Sequence, residues 1–185
     1  MRTGDFPVHL KGVGAKSGLA EGQVSAVVSV FGNVDSVGDM VMPGAFKASL
    51  AEWDAKGDRI PFLWSHEWAD PFSHLGSIVE ARETTKGLEV LAQLEDLEDN
   101  PKAAQVWRLL KGRRVTQMSF AYDIEEGVWA DHGGRKVYEL RKLRIHEAGP
   151  CLIGANQATE LLGAKGRPRS APLRRLEAAQ RLYGL

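Results

Sequence analysis

The feature that most constrains the fold is a ten-residue segment, residues 115–124, in which large apolar side chains alternate with small or polar ones. Met118, Phe120 and Tyr122 fall on one side of an extended chain. Ser119 falls on the other side. A period of two residues is typical of a β-strand with one face in the core. The segment therefore predicts a half-buried strand that points Ser119 away from the large apolar side chains, towards a surface or cleft.

The spacing of apolar residues and the positions of turn-forming residues predict further strands and helices along the chain. Helices are predicted over residues 45–55 and 100–111, and Asn100 and Pro101 suit the cap and first turn of the second helix. Strands are predicted over residues 8–13, 23–31, 60–64, 77–81, 88–94, 137–140 and 143–153, besides the segment around Ser119. A chain rich in strands with few helices favours an α+β fold, with an antiparallel, barrel-like sheet and flanking helices.

Composition narrows the class of protein. Lys+Arg and Asp+Glu both number 24, so the net charge gives no argument for a nucleic-acid partner. The sequence has no P-loop and no dinucleotide-binding fingerprint. Cys151 is the only cysteine, which excludes an internal disulfide and indicates a reducing compartment. With no signal peptide and no apolar run long enough to span a membrane, we expect a soluble, cytoplasmic protein.

The C-terminal residues differ in composition from the rest. Residues 163–171 are rich in Gly, Pro, Ser and basic side chains, which predicts an exposed linker, and apolar residues after it are spaced as on a short amphipathic helix. We therefore predict one domain over residues 1–163 and a basic linker with a short helix over residues 164–185. The tail has six basic residues and one acidic residue: Lys165, Arg167, Arg169, Arg174, Arg175 and Arg181, against Glu177.

Two residues supply part of the chemistry of acyl transfer. Ser119 offers a nucleophilic hydroxyl. His66 follows a predicted strand and lies between Trp64 and Trp68 in the sequence. The indole rings would shelter His66 from water if it acts as a general base. The alternative is that His66 only makes structural hydrogen bonds. An acyl-transfer enzyme also needs donors for the developing oxyanion. Candidate donors are the backbone N–H groups of the turn after the strand at residues 143–153: Gly154, Ala155 and Asn156.

Glu147 is the candidate for a third catalytic residue beside Ser119 and His66. It shares the phase of the apolar residues of the strand predicted over residues 143–153, so a regular strand would point it inward. A buried carboxylate needs a partner, and the ring N–H of His66 could provide one. Two alternatives stay open: a salt bridge to an arginine such as Arg144, or a bulge at residues 149–150 that turns Glu147 outward.

A metal site is a competing interpretation of the histidines. The segment around His66 holds four side chains with the chemistry of zinc ligands, but their spacing matches no helical His-x-x-x-His motif and Pro71 interrupts them. We therefore expect no metal and no cofactor. The four side chains are His66, Glu67, Asp70 and His74.

Four segments together resemble a known family. They are Phe-Gly-Asn-Val-Asp with Pro-Gly-Ala-Phe at residues 31–46, Ile-Pro-Phe-Leu-Trp-Ser-His at residues 60–66, Met-Ser-Phe at residues 118–120 and the closing segment at residues 147–156. In this order they resemble the HK97-type phage prohead (capsid maturation) proteases. That family resembles the herpesvirus assemblins in fold, an antiparallel β-barrel surrounded by helices with a serine nucleophile. The assemblin triad has a second histidine as its third member.

The resemblance implies a serine endopeptidase with Ser119 as nucleophile, His66 as general base and Glu147 as the residue that orients His66. His146 is the reserve third member of the triad. The implied substrate is the scaffold region of a major capsid protein precursor, and self-cleavage and self-association are further hypotheses. The implied location is the immature capsid (prohead) in the host bacterial cytoplasm, with no nucleic-acid or membrane partner. The alternatives are a catalytically silent assembly or scaffolding protein and a metallohydrolase.

The basic tail allows two interpretations. Its helix could dock on its own domain. It could instead engage a partner with an acidic surface, either the capsid precursor or a neighbouring protease, and be trimmed by self-cleavage in the linker.

Overall fold

The computed structural model describes residues 2–4, 18–153 and 159–165. Within these ranges the chain forms one sheet and two helices, and a short 3₁₀ turn, Pro71–Ser73, precedes β5. The helices are α1 (Lys47–Lys56) and α2 (Pro101–Lys111). The strands are β1 (Arg2–Gly4), β2 (Gln23–Val30), β3 (Asp39–Val41), β4 (Pro61–Leu63), β5 (His74–Glu83), β6 (Gly87–Leu94), β7 (Gln117–His132), β8 (Arg135–Cys151) and β9 (Glu160–Ala164).

The predicted α+β class is confirmed, because strands dominate and two helices accompany them. The hydrogen-bonded order of the strands is β1–β7–β8–β4–β5–β6–β2–β9, and β3 pairs with β8 outside this path. Neighbouring strands are antiparallel, except that β3 and β4 each run parallel to β8. In the described ranges this order has two ends, so the barrel-like closure of the sheet stays a prediction.

Two strands are longer than the sequence predicts. β7 begins at Gln117 and runs beyond residue 124 to His132, and β8 joins the two strands predicted at residues 137–140 and 143–153. The hairpin between them turns at two glycines with positive φ. The outer part of this hairpin is largely exposed, so its sequence lacks the apolar alternation that reveals a half-buried strand.

Other predictions have mixed outcomes. β9 was not predicted as a strand, but it pairs with β2. It ends at Ala164, beside the boundary predicted between the domain and its tail, and that boundary stays a prediction. The strand predicted at residues 8–13 and the C-terminal helix lie outside the described residues.

The helix α2 has the cap that the sequence predicts. The Asn100 side-chain oxygen accepts hydrogen bonds from the backbone N–H groups of Lys102 and Ala103, both at 3.0 Å. The Asn100 amide nitrogen also donates to the carbonyl oxygens of Phe72 at 3.0 Å and His74 at 3.2 Å. The start of α2 is therefore tied to the segment between β4 and β5. The buried residues of α2 form an apolar stripe: Ala103, Val106, Trp107 and Leu110.

Gly149 lets β4 lie unusually close to β8. The two strands pair in parallel, with Phe62 opposite Ala148. A Cβ atom added at Gly149 would lie 1.7 Å from the carbonyl oxygen of Leu63, a distance that no real Cβ contact reaches. Gly149 therefore sets the spacing between β8 and the end of β4.

We expect Gly149→Ala to destabilise the protein, because the methyl group would push the two backbones apart. Overpacking of this kind typically costs about 1–3 kcal/mol. The free energy of unfolding in urea measures the effect. Gly18→Ala is the matched control, because an added Cβ at Gly18 meets no atom within 4 Å. Equal unfolding free energies for the two variants would contradict the role of Gly149.

Candidate active site

Ser119 lies near the start of β7, opposite Gly149 of β8. Met118, the residue before Ser119, is held by Thr159 on the side of β7 away from β8. The Thr159 hydroxyl accepts a hydrogen bond from the Met118 backbone N–H at 2.8 Å and donates one to the Met118 carbonyl oxygen at 2.6 Å. The backbone at the serine is thus fixed by β8 on one side and by Thr159 on the other.

The Ser119 side chain is more enclosed than its alternating sequence predicts. It is 2% exposed, whereas the sequence predicted a side chain directed to a surface or cleft. Both faces of this part of β7 are buried, since neighbouring Phe120 and Ala121 are also inaccessible. His66 lies against the serine hydroxyl and accounts for part of this enclosure.

His66 joins the serine to a carboxylate. Its Nε2 atom lies 2.7 Å from Ser119 Oγ, and its Nδ1 atom is hydrogen-bonded to Glu147 Oε1. An ionised carboxylate only accepts hydrogen bonds, so Nδ1 carries the proton and Nε2 presents its lone pair to the serine hydroxyl. The imidazole is 19% exposed and the Glu147 side chain is 3% exposed. Such an arrangement suits proton transfer from serine to histidine.

A β-bulge explains how Glu147 reaches this position. In the β7–β8 ladder, Ala121 is opposite Glu147 but Tyr122 is opposite Ile145. One extra residue, His146, is therefore inserted in β8. Residues that oppose each other in a ladder lie on the same face of the sheet. Glu147 consequently shares the face of Ala121, and Ile145 shares the face of Tyr122.

The inward orientation predicted for Glu147 is confirmed, but the reason given for it is wrong. Glu147 does not share the face of Ile145, as a regular strand would require. Ile145 belongs to the apolar core, whereas the bulge directs Glu147 to the face that carries Ser119. The pairing is regular from residue 117 to residue 121, so the irregularity does not lie at residues 149–150.

The other groups considered beside Glu147 have partners away from the serine. His146 Nε2 lies 2.8 Å from Asp123 Oδ2 at the surface. Arg144 forms a salt bridge with Glu125 at 2.6 Å. The structure therefore brings Ser119 and Glu147 to the same imidazole, but neither His146 nor Arg144.

The second carboxylate oxygen of Glu147, Oε2, is buried and has no hydrogen-bond partner among the described residues. Among those residues, His66 is the hydrogen-bond partner of the Glu147 carboxylate. A carboxylate bonded to the imidazole stabilises the charge that develops on the ring during proton transfer. The site is thus suited to stabilise the imidazolium that forms when His66 takes a proton.

The other candidate residues have different outcomes. Gly154, Ala155 and Asn156 lie outside the described residues, and their oxyanion role stays a prediction. In the part of the chain that the structure describes, no group of three or more His, Cys, Asp or Glu side chains is arranged to hold a metal ion. Glu67 and Asp70, considered above as zinc ligands, are instead paired with Lys102.

The loop that carries His66 has an unusual backbone. Ser65 and His66 have φ values of 50° and 58°, in the left-handed region that residues other than glycine rarely adopt. Each such residue costs about 1–3 kcal/mol and persists only where its surroundings fix it. Two backbone hydrogen bonds hold the start of the loop: Trp64 N–H to Ser73 O at 2.9 Å, and Ser65 N–H to Pro150 O at 3.0 Å.

The contacts of Lys102 were not predicted from the sequence. Its ammonium group contacts Glu67, Asp70 and Ser73. Hydrogen bonding to Lys102 lowers the pKa of Glu67 and of Asp70, and hydrogen bonding to Asp70 raises the pKa of Lys102. The sequence does contain one indication of these contacts. A lysine in the first turn of a helix opposes the helix dipole, so carboxylates from elsewhere in the chain are expected beside it.

Exposed apolar side chains flank the site. Trp68, two residues after His66, is 52% exposed, and Leu152 and Ile153, which follow β8, are 67% and 82% exposed. The strand partner of Cys151, the residue before Leu152, is Gln117, two residues before Ser119. Exposed apolar side chains beside a concentrated polar site are typical of a surface that binds a partner or substrate.

A serine, a histidine and a carboxylate hydrogen-bonded in this order form the constellation of serine hydrolases. Comparison with known sequences agrees with that class: the profile of the family described as Caudovirus prohead serine protease matches residues 12–167. The chain belongs to this family.

Individual relatives add detail. The chain is 30% identical over 152 residues to the prohead protease of Enterobacteria phage HK97, covering 81% of this chain and 61% of that protein. It thus spans less than two thirds of that relative. A segment of 71 residues, 36% of this chain, is 34% identical to 10% of the capsid polyprotein of Pseudomonas phage PAJU2.

A solved structure is similar in fold. The bacteriophage T4 capsid assembly protease, gp21, superposes with a TM-score of 0.56, covering 82% of this chain and 94% of that chain at 10% sequence identity. At this identity the similarity concerns the fold alone. No helix among the described residues has the length and apolar character to cross a membrane.

We expect Glu147→Gln to lower the turnover of a peptide substrate by about 10³–10⁴-fold, because the amide can donate to Nδ1 and stabilise the wrong imidazole tautomer. His146→Gln should change turnover by less than about threefold, because that side chain contacts Asp123 at the surface. Steady-state kinetics of both variants is the measurement. The opposite ranking would transfer the orienting role to His146.

Proposed function

We propose that this protein is a serine endopeptidase that matures a phage-type capsid by cleaving the scaffold region of the major capsid protein precursor. The observation that carries the proposal is the hydrogen-bonded chain from Ser119 through His66 to Glu147. Membership of the prohead serine protease family supports the same reaction. The names of the two phage relatives, a prohead protease and a capsid polyprotein, support a capsid protein as substrate.

In the proposed mechanism, Ser119 Oγ attacks the carbonyl carbon of the scissile peptide bond while its proton passes to His66 Nε2. Collapse of the tetrahedral intermediate breaks the C–N bond, and His66 returns the proton to the leaving amine. Water, deprotonated by His66, then attacks the acyl-enzyme, the ester bond to Ser119 Oγ breaks, and His66 returns the proton to Oγ. Glu147 holds the imidazole with Nδ1 protonated and stabilises the imidazolium in both half-reactions.

Two further parts of the proposal concern the surroundings of the serine. The backbone N–H groups of Gly154, Ala155 and Asn156 are the proposed oxyanion donors, and no cofactor takes part. The sheet is proposed to curl into a barrel-like form. This closure is supported by the hydrogen bond from Leu161 N–H, in β9, to the carbonyl oxygen of Thr116, just before β7, at 2.8 Å.

The protease is proposed to act inside the prohead, in the host bacterial cytoplasm, and to associate with itself there. Cleavage of its own basic tail, after residue 164, is part of the same proposal. A catalytically silent scaffolding role is less favoured, because such a protein would have no need of a buried carboxylate aligned with a histidine and a serine.

We expect Ser119→Ala to abolish cleavage of the capsid protein precursor and to leave the fold intact. Loss of a nucleophile of this kind costs on the order of 10⁴–10⁶-fold in rate. Ser77→Ala, in β5, is the matched control and should cleave at the wild-type rate. Co-expression with the capsid protein, followed by gel analysis of the precursor, is the measurement. Precursor cleavage by the Ser119→Ala protein at a near-normal rate would refute the serine mechanism.

Mass spectrometry of the same two proteins tests self-cleavage. The Ser77→Ala protein should lose part of the tail after residue 164 during maturation, whereas the Ser119→Ala protein should keep it. An intact tail in both proteins would show that self-cleavage is not part of the function.

A further inference from the structure

We propose that Lys102 is a positioning residue for catalysis: through Glu67 and Asp70, its ammonium group holds the loop that presents His66 to Ser119. The inference rests on the proposed serine mechanism. It assigns a role in that mechanism to a side chain that lies outside the hydrogen-bonded chain of serine, histidine and carboxylate.

The loop needs an external restraint. Ser65 and His66 both have left-handed backbone conformations, which are unfavourable for side chains other than glycine. Backbone hydrogen bonds to Ser73 and Pro150 fix the residues before the histidine. After the histidine, the turn bonds are short-range, from Trp68 N–H to His66 O at 3.0 Å and from Asp70 N–H to Glu67 O at 3.4 Å. Side chains must therefore fix this second half.

Lys102 supplies that restraint with all of its hydrogen-bond donors. An ammonium group has three N–H donors. Its Nζ atom lies 2.5 Å from Glu67 Oε2 and 2.8 Å from Ser73 Oγ, and it also contacts Asp70 Oδ2. The Ser73 hydroxyl donates to Glu67 Oε2 at 2.7 Å and so links two of the acceptors. Each acceptor lies on the segment between His66 and β5.

The backbone of Lys102 belongs to a helix that is packed against the core. It lies in the first turn of α2, whose apolar stripe is buried in the core and whose cap, Asn100, also bonds to the segment before β5. A single ion pair at this partial exposure contributes little to stability. Three bonds from one ammonium group on a packed helix, however, restrict where the loop can lie.

The position of Lys102 is unfavourable for the helix itself. A cation in the first turn opposes the helix dipole, and α2 has no acidic residue in that turn. Glu67 and Asp70 provide the missing negative charge from the loop. A residue that departs from helix preferences beside a reactive site is typical of a functional constraint. Loss of the ammonium group would leave two neighbouring carboxylates to repel each other and release the loop.

The test compares Lys102→Met with Lys142→Met. Lys142 also forms an ion pair, with Glu125 at 2.9 Å, and lies in β8 about 23 Å along the strand from Gly149. One readout is the rate at which a fluorophosphonate probe modifies Ser119: an Oγ–P bond forms, the P–F bond breaks, and the serine proton passes to His66. This rate needs no knowledge of the natural substrate. The second readout is kcat and KM for a capsid-precursor peptide.

We expect Lys102→Met to lower the labelling rate and kcat together by about 10- to 100-fold, because small misplacements of catalytic groups have effects of this size. KM should change by less than about threefold, since the proposed role concerns the histidine rather than peptide binding. Lys102→Arg should recover much of the loss, and Lys142→Met should match the wild type. Labelling of Lys102→Met within about twofold of the wild type would overturn the proposal.

A second set of variants separates positioning from folding. Glu67→Gln with Asp70→Asn should slow labelling to a similar extent, and adding Lys102→Met to this pair should cause little further loss, because the three residues act as one unit. If Lys102→Met does not fold, the variant that combines Glu67→Gln with Asp70→Asn provides the test. A wild-type labelling rate in this double variant refutes the inference. Labelling of wild-type Ser119 without cleavage of the capsid precursor would contradict the proposed substrate but leave the role of Lys102 intact.

Discussion

The site depends on a close approach of two backbones. β4 and β8 pair in parallel, and at Gly149 the carbonyl oxygen of Leu63 occupies the space that any Cβ atom would need. This contact delivers the loop after β4 to the face of the sheet where β7 carries Ser119. The hydrogen bond from Ser65 N–H to the Pro150 carbonyl oxygen continues the same contact one step further. Packing of the sheet therefore brings the start of the His66 loop to Ser119, and side-chain contacts hold the rest of that loop.

The extra residue in β8 determines which side chains of that strand face the site. Without the bulge at His146, a regular strand would place Ile145 and Glu147 on one face, and either the core would receive a carboxylate or the site an isoleucine. With the bulge, the apolar side chain enters the core and the carboxylate meets the imidazole. Bulges that redirect a side chain beside an active site are a recurrent device of β-sheets.

Parts of this arrangement could be predicted from the sequence, because their causes are local. The alternation around Ser119 indicates a strand, and Asn100 followed by Pro101 indicates the start of a helix. The pairing of β4 with β8 and the bulge could not be predicted, because both depend on contacts between residues far apart in the chain. His66 and Glu147, for example, are 81 residues apart. The enclosure of Ser119 was missed for the same reason. Glu147 was singled out by its phase in the strand predicted over residues 143–153, although the bulge in β8 means that this phase is not the cause of its position.

The central claim is that Glu147 holds His66 with Nδ1 protonated and with Nε2 free to accept the serine proton. Nitrogen NMR of histidine-labelled protein at neutral pH measures this tautomer directly. The account predicts that His66 carries its proton on Nδ1, with a strongly deshielded Nδ1–H signal that is lost in Glu147→Gln. A His66 that is protonated on Nε2 and unaffected by Glu147→Gln would contradict it.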